Sequence, residues 1–312
     1  MTKLYSDYTM KNISRRKFIE NAVTLAASTA LLPNLAELSP FGKTEKPIGI
    51  QLYSFRDDIK DGYIEDVLKG VAKAGYSYVE GFGLNKGKIF DKTPSEFRKM
   101  LKEHELKISS GHYTVSAKHY DSAKKDFTDD FKKAVEDALK MGQRYFVTPW
   151  TEEADRKTAD AFKEHCDLLN KAGEYCKNQN IRFGYHNHEF EFTTKWDGKM
   201  LYDVLMENTQ QDLVTMEMDM CWVVFGKQNV VELFKKYPQR FELAHFKDLA
   251  EEGVRETAIV GEGVIDFPEI LKNMKKGGVR MLIVELENYK KSPMDDTKVC
   301  YKNLRKMLDK LD

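Results

Sequence analysis

The sequence predicts a single (β/α)₈ TIM barrel that begins at about residue 47. Segments rich in β-branched and aromatic residues alternate with segments of helical periodicity from Pro47 to the end of the 312-residue chain. Eight strand-like segments begin 28 to 39 residues apart, which is the spacing of strand–helix units. No long linker or low-complexity stretch interrupts this region. A second folded domain is therefore not expected.

The first half of the barrel contains four predicted strands. They are "IGIQLYSF" from Ile48, "SYVEGF" from Ser77, "KISSGHYTV" from Lys107 and "RYFVTPW" from Arg144. The helical segments between them are "YIEDVLKGVAKAG", "PSEFRKMLKEHE" and "DDFKKAVEDALKMG", two of which end in the glycine typical of a helix C-terminus. The segment "GFGLNKG" has its third glycine one residue too late for a dinucleotide-binding fingerprint, and no helix follows it. An open doubly wound sheet is therefore not favoured.

The second half repeats the same alternation. It opens with the long helical segment "ADAFKEHCDLLNKAGEYCKNQN". The four remaining strands are "IRFGYHNHEF" from Ile181, "LVTMEMD" from Leu213, "FELAHFKD" from Phe241 and "RMLIVELEN" from Arg280. Eight units in total are what a closed barrel needs.

The N-terminal region differs from the rest of the chain. Arg15 and Arg16 precede an apolar run of about eleven residues that a proline ends. This pattern resembles a twin-arginine export signal, which is an address and not part of a fold. A membrane-spanning helix needs about twenty apolar residues, so stable membrane insertion is not expected. We expect residues 1–46 to be an export signal and linker, residues 47–312 to form the barrel, and the protein to be periplasmic. The alternative is an amphipathic first helix.

The composition restricts the partners of the protein. Its 50 basic and 50 acidic side chains cancel. A protein that binds nucleic-acid phosphates needs a basic face, so no nucleic-acid partner is expected. The four cysteines form no C-x-x-C pair, which favours free thiols over a disulfide framework or a zinc knuckle. A homo-oligomer is compatible with this composition.

Polar residues collect at the ends of the predicted strands, where TIM barrels build their active sites. In strand order these residues are Gln51 and Tyr53; Glu80; His112; Trp150; His186, His188 and Glu191; Glu217 and Asp219; His245, Lys247 and Asp248; and Glu285 and Glu287. Strand residues two apart point the same way, so the pairs His186/His188 and Glu285/Glu287 are expected to share a face. Buried polar groups need partners, and this many of them indicate a functional site.

Four of these residues predict a metal site. His186, Asp219, His245 and Glu285 come from the ends of four successive strands, so their side chains can converge at one side of the barrel mouth. Two imidazoles and two carboxylates suit one divalent ion such as Mn²⁺, Zn²⁺, Co²⁺ or Fe²⁺, with Mg²⁺ as a further candidate. A calcium site would use oxygen ligands only. The alternative is that each residue is a satisfied polar group of the barrel rim.

From Pro47 onward, the chain resembles the xylose-isomerase-like TIM-barrel superfamily of sugar (phosphate) isomerases and epimerases. The match runs through "GYHNHEFEF", "MEMDMCWVVFGKQNVVELFKKYPQRFELAHFKDL", "GEGVIDFPEIL" and "IVELEN". The resemblance implies a divalent metal held at the ends of strands five to eight and a sugar bound through adjacent oxygens. Asp219, His245 and Glu285 match the metal-binding Asp, His and last Glu of the family. His186 stands where many relatives have a glutamate that is both ligand and acid/base.

The other strand-end residues are assigned to catalysis or to substrate binding. The expected catalytic residues are Glu285 as the base, Lys247 as the group that stabilises negative charge on the substrate, and His188 and Glu191 as proton-transfer groups. The expected substrate contacts are Glu80, His112, Trp150 and Glu217. Because His186 replaces a glutamate, a second carboxylate would have to come from Glu191, Glu217, Glu80 or Glu287. For each of these residues a structural role is the alternative.

The sequence therefore favours a metal-dependent sugar isomerase or epimerase, which removes a proton beside a carbonyl group. A lyase that eliminates from a keto-glycoside begins with the same step and is the first alternative. The second is a sugar-binding barrel without activity, and the third is an endonuclease of the same superfamily, which the neutral charge disfavours. An export signal and the lack of a Gly-rich phosphate cradle favour an unphosphorylated sugar or keto-sugar.

Overall fold

The structure is a computed structural model that describes residues 46–196 and 198–311. The predicted export signal lies outside the described residues, apart from Lys46, and stays a prediction. From Pro47 onward the chain forms one compact unit. None of the described helices combines the length and the apolar character that a membrane crossing requires.

The predicted (β/α)₈ barrel is confirmed. Its strands are β1 (Ile48–Gln51), β2 (Tyr78–Phe82), β3 (Lys107–His112), β4 (Tyr145–Thr148), β5 (Arg182–His186), β6 (Val214–Asp219), β7 (Leu243–Phe246) and β8 (Met281–Val284). Neighbouring strands pair in parallel, and β1 pairs with both β2 and β8, which closes the barrel. Each predicted strand segment contains one of these strands.

Helices surround the barrel, as the helical periodicity predicts. The α-helices are Arg56–Lys60, Ile64–Ala74, Pro94–Glu103, Asp129–Met141, Glu153–Arg156, Ala159–Asn178, Phe190–Thr193, Leu201–Asn208, Met220–Phe225, Val230–Lys236, Phe267–Gly277 and Pro293–Leu308. Two short 3₁₀ helices cover Leu52–Phe55 and Ala117–His119. Antiparallel two-residue pairs join Tyr120–Asp121 to Asp126–Phe127, Lys195–Trp196 to Lys199–Met200 and Asp248–Leu249 to Thr257–Ala258.

The strands end earlier than the sequence pattern suggests. Strand β5 ends at His186 and β8 ends at Val284. His188 and Glu287 therefore lie beyond the strands, yet each expected pair stays close: the ring centres of His186 and His188 are 5.0 Å apart, and Lys247 donates to both Glu285 and Glu287.

One close approach shows how the interior is filled. The ring of Tyr78 lies against Gly49, where an added Cβ would be only 2.0 Å from Tyr78 Cε2. The Tyr78 hydroxyl donates to the carbonyl oxygen of Leu282 at 2.7 Å. A side chain at position 49 would displace this ring, so glycine is required for the packing of β1, β2 and β8.

Candidate functional site

The four predicted metal ligands meet at the C-terminal ends of β5 to β8. Strand pairing sets Asp219 of β6 beside His245 of β7, and Glu285 directly follows β8. The candidate ligand atoms of His186, Asp219, His245 and Glu285 all lie within 4.8 Å of one another, and all four residues are buried. We call these residues the ligand group.

The ligand group contains buried atoms that lack partners. Among the described residues, the two ring nitrogens of His186 and the Oδ2 atom of Asp219 have no hydrogen-bond partner. His186 Nε2 lies 3.5 Å from Asp219 Oδ2. Burial and the neighbouring His245 lower the pKa of His186 well below its usual range, so the ring is neutral and offers a lone pair. Orphaned imidazole and carboxylate atoms that face one another fit a divalent cation.

His245 connects the ligand group to a second cluster. Its Nδ1 lies 2.9 Å from Glu285 Oε2, and its Nε2 lies 2.7 Å from Glu80 Oε1. We call Gln51, Glu80, His112 and Glu217 the support group. His112 Nε2 lies 2.7 Å from Glu217 Oε2 and 3.2 Å from Glu80 Oε1. The predicted substrate residues Glu80, His112 and Glu217 are thus in contact with one another.

The charges of the support group depend on burial and on one another. Burial opposes the ionisation of Glu80, but His112 and His245 outweigh this effect and hold the pKa of Glu80 well below its usual range. Burial and the charge of Glu80 raise the pKa of Glu217. Burial works against a charged His112, but Glu80 and Glu217 raise its pKa to about 10. His112 is therefore an imidazolium at neutral pH.

Lys247 lies beside the ligand group and is almost fully buried. Its Nζ is 3.3 Å from Glu285 Oε2 and 3.5 Å from Asp219 Oδ2, and it donates to Glu287. Burial disfavours its charge, but the carboxylates of Glu285 and Asp219 outweigh burial and raise the pKa of Lys247 well above its usual range. The ammonium also lies 4.7 Å from the centre of the Trp222 ring. A fixed positive charge therefore stands next to the candidate metal site.

Asp248 binds backbone groups of the loop that follows it. Its carboxylate accepts hydrogen bonds from the backbone N–H groups of Leu249, Gly261, Gly263 and Ile265 at 2.8 to 3.2 Å. These contacts tie the loop that contains "GEGVI" to the end of β7.

Glu191 makes its contacts outside the ligand group. The Tyr185 hydroxyl donates to Glu191 Oε1 at 2.6 Å, and the backbone N–H of His188 donates to Oε2 at 2.8 Å. Burial raises the pKa of Glu191 to about 8. Tyr185 continues the contact to Thr151, whose Oγ1 is 2.9 Å away. A catalytic function of Glu191 stays a prediction, and its observed contacts anchor the loop after β5.

His188 and Trp150 lie together at the rim. Their ring centres are 5.1 Å apart in an edge-on arrangement, and the ring centres of His188 and Trp222 are 6.1 Å apart. Burial and His186 lower the pKa of His188 well below its usual range. Trp150 is 36% exposed, and the guanidinium carbon of Arg156 lies 5.5 Å from the centre of its ring.

The sequence reasoning missed Asn187. Its Oδ1 accepts from the backbone N–H of Asp219 at 3.1 Å, and its Nδ2 donates to the Asp219 carbonyl oxygen at 3.2 Å. This pair of hydrogen bonds fixes the end of β6 against the end of β5. The available signal was an amide side chain between two histidines at a strand end.

The chain matches the model of a known protein family. A model described as "Xylose isomerase-like TIM barrel" matches residues 68–310. The chain belongs to this family. The xylose-isomerase-like resemblance is therefore confirmed.

Some relatives are named as dehydratases and others as sugar phosphate isomerases/epimerases. An inosose dehydratase of Clostridium botulinum (strain Eklund 17B) is 26% identical over 269 residues, which cover 77% of this chain and 88% of the relative. A solved sugar phosphate isomerase/epimerase of Parabacteroides distasonis is 30% identical, with a TM-score of 0.69 and coverage of 85% of this chain and 100% of that one. A solved IOLI protein with a bound zinc atom is 15% identical, with a TM-score of 0.65, and covers 85% and 98% of the two chains. The last likeness concerns the fold alone.

Proposed function

We propose that this protein is a metal-dependent lyase that acts on a polyhydroxylated ketone. It removes a proton from the carbon beside the carbonyl group and expels an oxygen substituent from the next carbon. The observation that carries the proposal is the ligand group, whose unpartnered His186 and Asp219 atoms lie beside the buried ammonium of Lys247. The lyase outcome is supported by the relatives named inosose dehydratase, because a dehydratase eliminates water.

His186, Asp219, His245 and Glu285 are the residues that would hold the metal. A divalent cation bound there would supply the positive charge that polarises a carbonyl group and acidifies the neighbouring C–H bond. Lys247 adds a second positive charge at this place. It therefore stabilises the negative charge that develops on the carbonyl oxygen.

Glu285 is the proposed base. Its Oε2 is 2.9 Å from His245 and 3.3 Å from Lys247, which leaves Oε1 for a substrate proton. Burial opposes its charge, but Lys247 and His245 outweigh burial and hold the pKa of Glu285 well below its usual range. The carboxylate is thus ionised at neutral pH. A carboxylate with such a low pKa is a weak base. The reaction therefore depends on a substrate C–H bond that a bound cation would make more acidic.

His112 is the proposed acid for the leaving group. It is an imidazolium at neutral pH because Glu80 and Glu217 raise its pKa to about 10. The electron pair of the broken C–H bond forms a C=C bond, the C–O bond of the next carbon breaks, and the leaving oxygen takes a proton from His112. Glu217 is the alternative base, because its Oε1 is buried and has no partner among the described residues.

Isomerisation or epimerisation is the second candidate. It is favoured by the Parabacteroides distasonis structures, which are 28% and 30% identical to this chain. Both reactions begin with the same proton removal. They differ in whether the carbanion expels an oxygen substituent or regains a proton.

The test follows an inosose and a keto-glycoside by NMR in heavy water with metal-loaded enzyme. Elimination should release water or the alcohol and leave an unsaturated ketone. Isomerisation should instead place deuterium beside the carbonyl without loss of a substituent. Glu285→Gln, loaded with the same metal content, should bind the ketone but give neither product. Absence of both exchange and elimination in the wild type would refute the proposal and favour a binding protein.

A further inference from the structure

We infer that Glu80 is a positioning residue that orients the imidazole of His245 toward the metal. This inference rests on the proposed metal site. It replaces the expectation that Glu80 contacts the substrate. The inference is based on the 2.7 Å distance between Glu80 Oε1 and His245 Nε2. Both residues are fully buried.

The chemistry of imidazole decides which nitrogen faces the metal. A neutral imidazole has one N–H group and one lone pair. His245 Nδ1 faces the ligand group, at 2.9 Å from Glu285 Oε2 and 4.0 Å from Asp219 Oδ2. Its Nε2 lies 2.7 Å from Glu80 Oε1 and 3.4 Å from Glu217 Oε2, so Glu80 is its nearer partner. A cation that binds at Nδ1 takes the place of the proton there, so the metal-binding form of His245 is a neutral ring that keeps its proton on Nε2 and donates it to Glu80.

Glu80 is itself held in place. Gln51 Nε2 donates to Glu80 Oε1 at 2.8 Å. The amide of Gln51 cannot turn around, because its Oε1 accepts from the backbone N–H of Tyr53 at 3.0 Å. Strand pairing sets Gln51 of β1 beside Glu80 of β2, and both side chains are fully buried. The Glu80 oxygen that meets His245 thus has a fixed position.

The support group could be mistaken for a second metal site. Glu80, His112, Glu217 and His245 also bring ligand atoms within 4.8 Å of one another. A second ion would need the lone pair of His245 Nε2, but a neutral ring that binds through Nδ1 has none left. His112 Nε2 also lies between the two carboxylates at hydrogen-bond distances. The two clusters therefore form one metal site and its support.

Loss of the Glu80 charge should weaken metal binding without abolishing it. Partners of metal-binding histidines typically contribute 10- to 100-fold to metal affinity. We expect Glu80→Gln to weaken the binding of Zn²⁺ or Co²⁺, measured by competition with a chelator, by about 10- to 100-fold. The matched control is Glu191→Gln, which replaces an equally buried carboxyl group away from the ligand group. It should keep the affinity within about twofold, since it touches no ligand.

A second measurement needs no variant. In wild-type protein loaded with Zn²⁺ and labelled with ¹⁵N-histidine, NMR should show a proton on Nε2 of His245 and none on Nδ1. A proton on Nδ1, or two Zn²⁺ ions per chain, would overturn the inference. Unchanged affinity in Glu80→Gln would also overturn it. The metal site is tested separately by Asp219→Ala, because a variant that keeps its metal would refute the site itself.

Discussion

Replacing Glu191 by Gln should change how the stability of the protein depends on pH. Glu191 is fully buried, and burial raises its pKa from the usual 4.5 to about 8. The hydrogen bonds from Tyr185 and from the backbone of His188 favour the charged form but do not offset burial. Glutamine has the shape of a protonated glutamate. In Glu191→Gln the amide oxygen can accept from the backbone N–H of His188, and the amide NH2 can donate to the Tyr185 hydroxyl, which then donates to Thr151. The variant should therefore fold and lose only the titrating group.

The direction of the change in stability follows from the pKa of Glu191 in the unfolded chain and in the folded protein. Between about pH 5 and pH 8 the unfolded chain ionises Glu191, whereas the folded protein keeps it protonated. The wild type therefore loses stability as the pH rises, by about 1.4 kcal/mol per pH unit, and the loss ends above about pH 8. Over the interval from 4.5 to about 8, the free energy of unfolding should fall by up to about 5 kcal/mol relative to Glu191→Gln.

Denaturant unfolding of both proteins at several pH values between about 5 and 8 measures this difference. Contributions of the other titrating groups cancel, because the two proteins share them. The control is Glu189→Gln in the same loop, which removes a carboxylate paired with Arg255 at 2.6 Å. This variant shows what the loss of a neighbouring ion pair does to the free energy of unfolding at each pH. A constant difference for Glu191→Gln would show that Glu191 is ionised in the folded protein, and the reasoning from burial would be refuted.

Three further predictions concern other parts of the chain. Lys247→Met at matched metal content should lower kcat by about 10²- to 10³-fold with a smaller change in KM; an equal change in both would contradict charge stabilisation. Asp248→Ala should lower the free energy of unfolding by about 3 kcal/mol, because four backbone N–H groups lose their acceptor; a loss below about 1 kcal/mol in denaturant titration would refute this. Replacing Arg15 and Arg16 by Lys should keep the protein in the cytoplasm of its native host, whereas unchanged export in cell fractionation would point to another signal.

Several features of the site were predictable because a barrel has simple rules. Strand spacing predicts eight units, and every strand of a closed parallel barrel ends at the same face. His186, Asp219, His245 and Glu285 lie at or directly after four successive strand ends, so their convergence follows from the count of strands. Their residue types then indicate a divalent cation.

Contacts between side chains could not be predicted in this way. His245 meets Glu80, which is 165 residues away in the sequence and lies three strands away around the closed barrel. Glu191 follows His188 closely in "HNHEFEF", yet it turns to Tyr185 and stays outside the ligand group. Asp248 holds the loop that includes Gly261 and Gly263. Each of these outcomes depends on a partner brought near by the closed barrel.

The sequence by itself determined the fold class, the end of the barrel that carries the site and the four residues that can bind a metal. Periodicity is a local property of the chain, and it is sufficient to assign residues to strands and strand ends. Only the tertiary structure decided that Gln51, Glu80, His112 and Glu217 form a connected support for His245. The physical reason is that buried polar side chains choose their orientation by the partners available in three dimensions, which sequence spacing does not contain.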